Sequence, residues 1–290
     1  RCPAARRPRG GPVRLGATTF VTDLSMDPRE LAREIEGRGY DALFIAEHTH
    51  IPVGEAGANL AEMYRHTYDP MVALTAAASV TNDLVVGTAI CLVAQHDPIV
   101  LAKAIASLDH LSGGRFVLGA GFGWLREEME HHGVNPDDRW TLVREKIAAM
   151  RALWSEEEAE YAGSLVRFGP SWSWPKPTSP SGPPVFLGGA GGPRTVRHVV
   201  DYADGWLPNR TGPEVDAVLE TLRAEAERKG RDPESIRLIV AGRPEPEFLD
   251  LQRSRGCERV LLLLPSAGRD AVLPVLDQYA ALAQEMNAAT

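Results

Sequence analysis

Short apolar runs alternate with longer amphipathic segments along almost the whole chain, and this rhythm restricts the fold more than any other feature. VRLGATTF (13–20), YDALFIA (40–46), LVVGTAI (84–90), RFVLGA (115–120), PVFLGG (184–189), GWLPN (205–209), IRLIVAG (236–242) and RVLLLLP (259–265) read as strands. They are near-continuously apolar, as parallel strands covered on both faces should be. The segments between them read as helices. Three open on one signal, Asp27-Pro28, Asp69-Pro70 and Asp97-Pro98. The aspartate is an N-cap, and the proline takes the first helical position, where no amide proton is needed. Gly39 stops the first of these helices. RWTLVREKIAAMRALW (139–154) sets Leu142, Ile147, Met150 and Leu153 near one face.

About eight strand–helix units in roughly 270 residues is the usual size of a (β/α)8 TIM barrel. An open, doubly wound sheet is the rival arrangement. The rhythm breaks at 159–184, where a hairpin around Gly163 leads into SWSWPKPTSPSGPP, too rich in proline for regular structure. Because the alternation then resumes, this is an insertion between the fourth helix and the fifth strand of a single domain spanning 13–290. Residues 1–12, RCPAARRPRGGP, read as a disordered leader.

The composition is that of an ordinary globular chain, 44% hydrophobic and 24% charged. A net charge of -8 gives no footprint for nucleic acid or an anionic membrane, and no apolar run reaches the roughly 20 residues that span a bilayer. Cys2, Cys91 and Cys257 lie far apart with no CxxC pair, which argues against a disulfide framework and fits a reducing cytoplasm.

Both candidate folds bind ligands where the strands end. Strand two ends in AEHTHIP, which places Glu47, His48 and His50 at the mouth. His48-x-His50 could seat a metal, but FLGG, GWLPN, VAG and LLP at the later strand ends add no ligand, so no metal is expected. An isolated histidine there is more simply explained by a bond to a loop. Strand four runs into GAGFGW (119–124), whose small residues let something flat approach the strand end. FLGGAGGPRTVRH (186–198) sets four glycines before a helix opened by Pro193, an anion site suited to a phosphate. Phe20, Trp124 and Trp174 are the candidate pocket aromatics, and Met63, Tyr64 and His66 lie on a loop able to close over them.

In their order and spacing, AEHTHIP, VVGTAICLVAQHDPIVLAKAIASLDHLSGGR, FVLGAGFGWLREEMEHHGV, DDRWTLVREKIAAMRALW, the insertion leading to WPKP, and GGAGGPRTVRHVVDYADGW resemble the luciferase-like oxidoreductases. EHTHIP resembles a subgroup dependent on the deazaflavin coenzyme F420. The resemblance covers roughly 13–285 and implies a barrel whose cofactor does most of the chemistry. Glu47 and His48 then match an acid–histidine pair beside the cofactor ring, with His48 the proton donor or acceptor and Glu47 orienting it or hydrogen-bonding the cofactor. Ala89 and Ile90 match a strand-three bulge, often a cis peptide, behind the ring. Gly121 and Gly123 flank the ring; Gly189, Ala190, Gly191 and Gly192 receive the phosphate. The insertion becomes a cap near the substrate entrance, and the assembly a homodimer. The implied reaction is hydride transfer between F420 and a small organic substrate. The alternatives are an FMN-dependent monooxygenase, which needs a flavin reductase partner, and a flavin- or deazaflavin-binding protein without turnover.

Overall fold

The computed structural model describes residues 12–288, so the expected leader lies outside it apart from Pro12. The chain runs β1 (Arg14–Thr19), α1 (Pro28–Gly37), β2 (Ala42–Ile45), a short α2 (Glu55–Ala58), α3 (Pro70–Ala78), β3 (Val85–Thr88), α4 (Pro98–Ser112) and β4 (Phe116–Ala120). Two helices follow, α5 (Arg126–His131) and α6 (Arg139–Ser155), then a hairpin of β5 (Ala159–Ala162) and β6 (Arg167–Ser171). The rhythm returns with β7 (Val185–Gly189), α7 (Pro193–Tyr202), β8 (Gly205–Pro208), α8 (Glu214–Arg228), β9 (Arg237–Ala241), α9 (Pro246–Ser254), β10 (Arg259–Leu263) and α10 (Arg269–Ala288).

Eight parallel strands close in the order β1-β10-β9-β8-β7-β4-β3-β2, with the β5–β6 hairpin apart. Pairing of Arg14–Thr18 with Arg259–Leu263 joins first strand to last and removes the open-sheet rival. The expected TIM barrel is the fold.

The continuous apolar runs have a direct cause. Side chains alternate along a strand, so each strand feeds two cores. Ala42, Phe44, Val117, Phe186, Leu207, Ile239 and Leu261 fill the barrel lumen. Leu15, Leu43, Ile45, Val86, Leu118, Leu187, Val240 and Leu262 pack in the other core, with helix residues such as Leu31, Leu74, Ile105, Ile147, Val199 and Leu276. Fully burying each large side chain is worth about 1.5–3 kcal/mol. Gly87 in β3 faces the Phe44 ring so closely that a Cβ would press on it, and that glycine makes room for the aromatic. At the strand starts Arg259 donates from Nε and Nη2 to Asp41 at 2.8–3.1 Å and lies over Phe44.

All three Asp-Pro signals form caps. Asp27 accepts from Arg29 N, Asp69 from Val72 N, and Asp97 from both Ile99 N and Val100 N, each at 2.9 Å. Gly39 adopts φ 85°, the left-handed conformation for which it was assigned as a stop. No helix among the described residues is long and apolar enough to cross a membrane.

The insertion lies where expected along the chain but not in space. Its bonds reach the outer helices instead of the mouth: Lys103 of α4 donates to the Trp174 carbonyl, Thr178 N to Asp109 of α4 at 2.7 Å, and Lys176 to the Leu153 carbonyl of α6 at 2.8 Å. It covers the barrel flank and is not an entrance cap.

Glu145 of α6 stitches the hairpin turn, accepting from Ser164 N, Leu165 N and Val166 N at 2.8–3.1 Å and from the Ser164 hydroxyl at 2.6 Å. Burial penalises its charge, but the Ser164 hydroxyl and the backbone N–H groups outweigh this and lower its pKa from 4.5 to about 2. A folded-state pKa below the unfolded value gives stability that is present above about 4.5 and lost as pH falls toward 2. Glu145→Ala is expected to cost about 2 kcal/mol at pH 7, from donors left without an acceptor. In denaturant unfolding its gap to wild type should narrow below pH 4.5.

Candidate active site

Because Ala42 and Phe44 of β2 face the lumen, alternation carries the lumen side on to Ala46 and His48, while Glu47 follows Leu43 and Ile45 outward. The contacts agree. His48 Nδ1 lies 3.1 and 3.0 Å from the two Glu128 oxygens, with His48 and Glu128 side chains 5% and 1% exposed. An ionised carboxylate only accepts, so Nδ1 carries the proton and Nε2 is the free position. Burial favours the neutral acid of Glu128, yet the His48 hydrogen bond and charge hold its pKa below the usual carboxylate value. Thr49 N adds a 3.3 Å bond to the same carboxylate, and the Thr67 hydroxyl holds the His48 carbonyl at 2.5 Å.

Glu47 does not orient His48. It points the other way, accepting from Leu92 N at 2.5 Å and meeting His96 Nε2 at 2.7 Å. Burial alone would lower the His96 pKa, but the Glu47 carboxylate raises it. Cys91 is fully buried beside the same carboxylate, and both burial and Glu47 raise its pKa. The acid–histidine pair is adjacent in sequence and divided in space.

Aromatic side chains wall His48. Tyr64 lies 5.3 Å from its ring and Trp124 5.9 Å away, edge-on, while Phe20 packs on Tyr64 at 4.8 Å. Phe20 and Trp124 thus join the site together with Tyr64. Trp174 does not. It sits 60% exposed on the flank with Lys176 over its ring, held there by the insertion's bonds to α4 and α6. His50 turns aside from His48, its Nε2 2.9 Å from His131 Nδ1, and the Thr49 hydroxyl bridges His50 and His132.

The Ala89–Ile90 peptide is cis. The Ile90 side chain lies against β4 and β7, where a Cβ on Gly121 or Gly188 would collide with it. Gly121 is therefore small to admit the side chain of Ile90. Gly123 has φ 75° and backs onto Met129.

In GGAGGP, Gly191 has φ 82° and a Cβ there would press on Val218 and Trp206, so packing alone demands this glycine. Gly192 faces open space, and Trp206 Nε1 donates to the Gly189 carbonyl at 3.1 Å. No side chain among the described residues caps α7, so the N–H groups of Arg194 and Thr195 in its first turn remain available to an anion. Gly189, Ala190, Gly191 and Gly192 lead from the end of β7 into that helix start.

Glu128 is the candidate site residue that sequence reasoning missed, placed there by its bond to His48. It lies among Glu127 and Glu130 in REEMEH, and only the burial of Glu128 and Met129 shows which acid turns inward.

A family model described as luciferase-like monooxygenase matches residues 25–244. An uncharacterized protein of Mycobacterium tuberculosis is 39% identical over 276 residues, covering 92% of this chain and 97% of that protein. An F420-dependent glucose-6-phosphate dehydrogenase of Intrasporangium calvum is 30% identical over 189 residues, 62% of this chain and 53% of that enzyme. Among solved structures, a coenzyme F420-dependent tetrahydromethanopterin reductase from Methanopyrus kandleri aligns with TM-score 0.70 at 18% identity, covering 93% of this chain and 98% of that one. A monooxygenase from Streptomyces bottropensis aligns with TM-score 0.76 at 19% identity over the same shares. With a closed barrel, a buried histidine at its mouth and a family match across most of its length, the chain is an oxidoreductase that belongs to the luciferase-like monooxygenase family.

Proposed function

We propose that this oxidoreductase uses coenzyme F420 and exchanges a hydride with a small organic substrate. The observation that carries the reading is His48, its Nδ1–H held by buried Glu128 and its ring walled by Tyr64 and Trp124. When bound, a deazaflavin supplies a carbon centre for two-electron hydride exchange, and a proton must move to balance it. Nε2 of His48 gives or takes that proton, and Glu128 fixes the tautomer that makes this possible. Tyr64, Trp124 and Phe20 keep water from the ring face of His48. The open first turn of α7 and the empty space beside Gly192 suit a phosphate-bearing cofactor. The F420-dependent relatives favour the deazaflavin over FMN.

The test is binding of F420 and FMN to the purified chain, followed by fluorescence. Saturable binding of F420 with weak or absent FMN binding is expected. FMN binding without F420 binding would overturn the reading in favour of a flavin monooxygenase.

A further inference from the structure

We propose that Glu47, Cys91 and His96 form a zinc site that clamps the end of the second barrel strand to the loop after the third. A carboxylate oxygen of Glu47, Sγ of Cys91 and an imidazole nitrogen of His96 lie within 4.8 Å of one another. They come from two separate stretches of chain, Glu47 just after β2 and both Cys91 and His96 in the loop between β3 and α4.

The donor set selects the ion. One thiolate, one imidazole and one carboxylate suit tetrahedral zinc, whereas magnesium and calcium take oxygen ligands alone. Zinc bonds of about 2.0–2.3 Å place neighbouring ligand atoms roughly 3.3–3.8 Å apart. The Glu47–His96 contact of 2.7 Å opens by less than about 1 Å to admit the ion, and Cys91 moves inward. Water takes the fourth position.

Charge favours the same conclusion. Glu47 and Cys91 are buried and His96 is only partly exposed. A carboxylate taken out of water beside a thiol has one partial counter-charge, the imidazole. A divalent ion with one thiolate and one carboxylate sums to zero, so the buried cluster carries no net charge.

The supports that a metal site needs are present. Leu92 N holds the second Glu47 oxygen at 2.5 Å, leaving the first for the ion. Cys91 is pinned by its N–H to the Gly119 carbonyl at 2.7 Å and by Gly121 N to its own carbonyl at 2.8 Å. Lys146 donates to the carbonyls of Ala94 and His96 at 2.7 and 2.5 Å and fixes the turn that presents the imidazole. The 22% exposed side chain of His96 gives the ion its way in. On binding, Sγ–H loses its proton to solvent as the Zn–S bond forms, and the imidazole binds in its neutral form. The site does not depend on which redox cofactor the chain uses.

The test uses the full chain after dialysis against a chelator, titrated with zinc and, in parallel, with cobalt(II). One zinc per chain is expected, with a sulfur-to-cobalt charge-transfer band and a higher melting temperature in the presence of zinc. The band should vanish in Cys91→Ser and persist in Cys257→Ser and Cys2→Ser, and His96→Asn should lose the thermal shift. The proposal is overturned if wild-type chain binds no stoichiometric zinc, or if the band follows Cys2 or Cys257. Stoichiometric zinc binding with no sulfur-to-cobalt band would overturn it too, because the ion would then lie away from Cys91.

Discussion

His48→Ala is expected to lower turnover by about 10²–10⁴-fold while cofactor affinity stays within a few-fold of wild type. The reasoning is geometric. A proton donor acts only from hydrogen-bond reach of the reacting group, and His48 Nε2 is the free nitrogen of a side chain on the lumen side of β2, where the barrel opens. Its other nitrogen is committed to Glu128 at 3.0 Å. Truncation removes the proton carrier but leaves the α7 start, Ile90 and the lumen residues in place, so binding and chemistry separate. The measurement is stopped-flow oxidation of reduced F420 by an activated enone, alongside fluorescence titration of F420. A variant that kept wild-type turnover would remove His48 from the proton path. Parallel losses of turnover and binding would mean that the ring mainly packs against the cofactor.

Much of the fold was legible because one physical rule wrote it repeatedly. Strands buried on both faces are continuously apolar, and Asp27, Asp69 and Asp97 each stand before a proline and cap a helix. Closure was not legible, since the β1–β10 pairing depends on strand stagger that no local pattern encodes. The destination of the insertion was hidden for a similar reason. Its tryptophans suggest a pocket, but Lys103, Asp109 and Glu145, which tie it to the flank, are ordinary helix-surface residues in the sequence.

At the site, the division of Glu47 from His48 follows from strand alternation alone. Phe44 inward and Ile45 outward imply the same of His48 and Glu47, and that inference was available from the sequence. Family resemblance pulled the other way by treating two neighbours as one unit. Glu128 had no such signal. The pairing across 80 residues exists only once α5 packs beneath the mouth of the barrel. The glycines mark a close approach at the ends of β4 and β7, where the side chain of Ile90 packs against Gly121 and Gly188.

Glu128→Gln separates an orienting role from a structural one. The amide oxygen can still accept from His48 Nδ1, so packing and tautomer survive, but the negative charge is lost. Without it an imidazolium formed during proton transfer has no counter-charge within hydrogen-bond distance, and turnover should fall by about 10-fold or more while stability stays near wild type. Glu128→Ala tests the structural contribution separately, since it strands His48 Nδ1–H and Thr49 N–H and should cost about 1–3 kcal/mol in denaturant unfolding. If the glutamine variant kept wild-type turnover while the alanine variant lost stability, Glu128 would only hold the loop of Thr49 in place. Lost turnover in the glutamine variant at near-native stability and cofactor affinity assigns the carboxylate charge to the chemistry of His48.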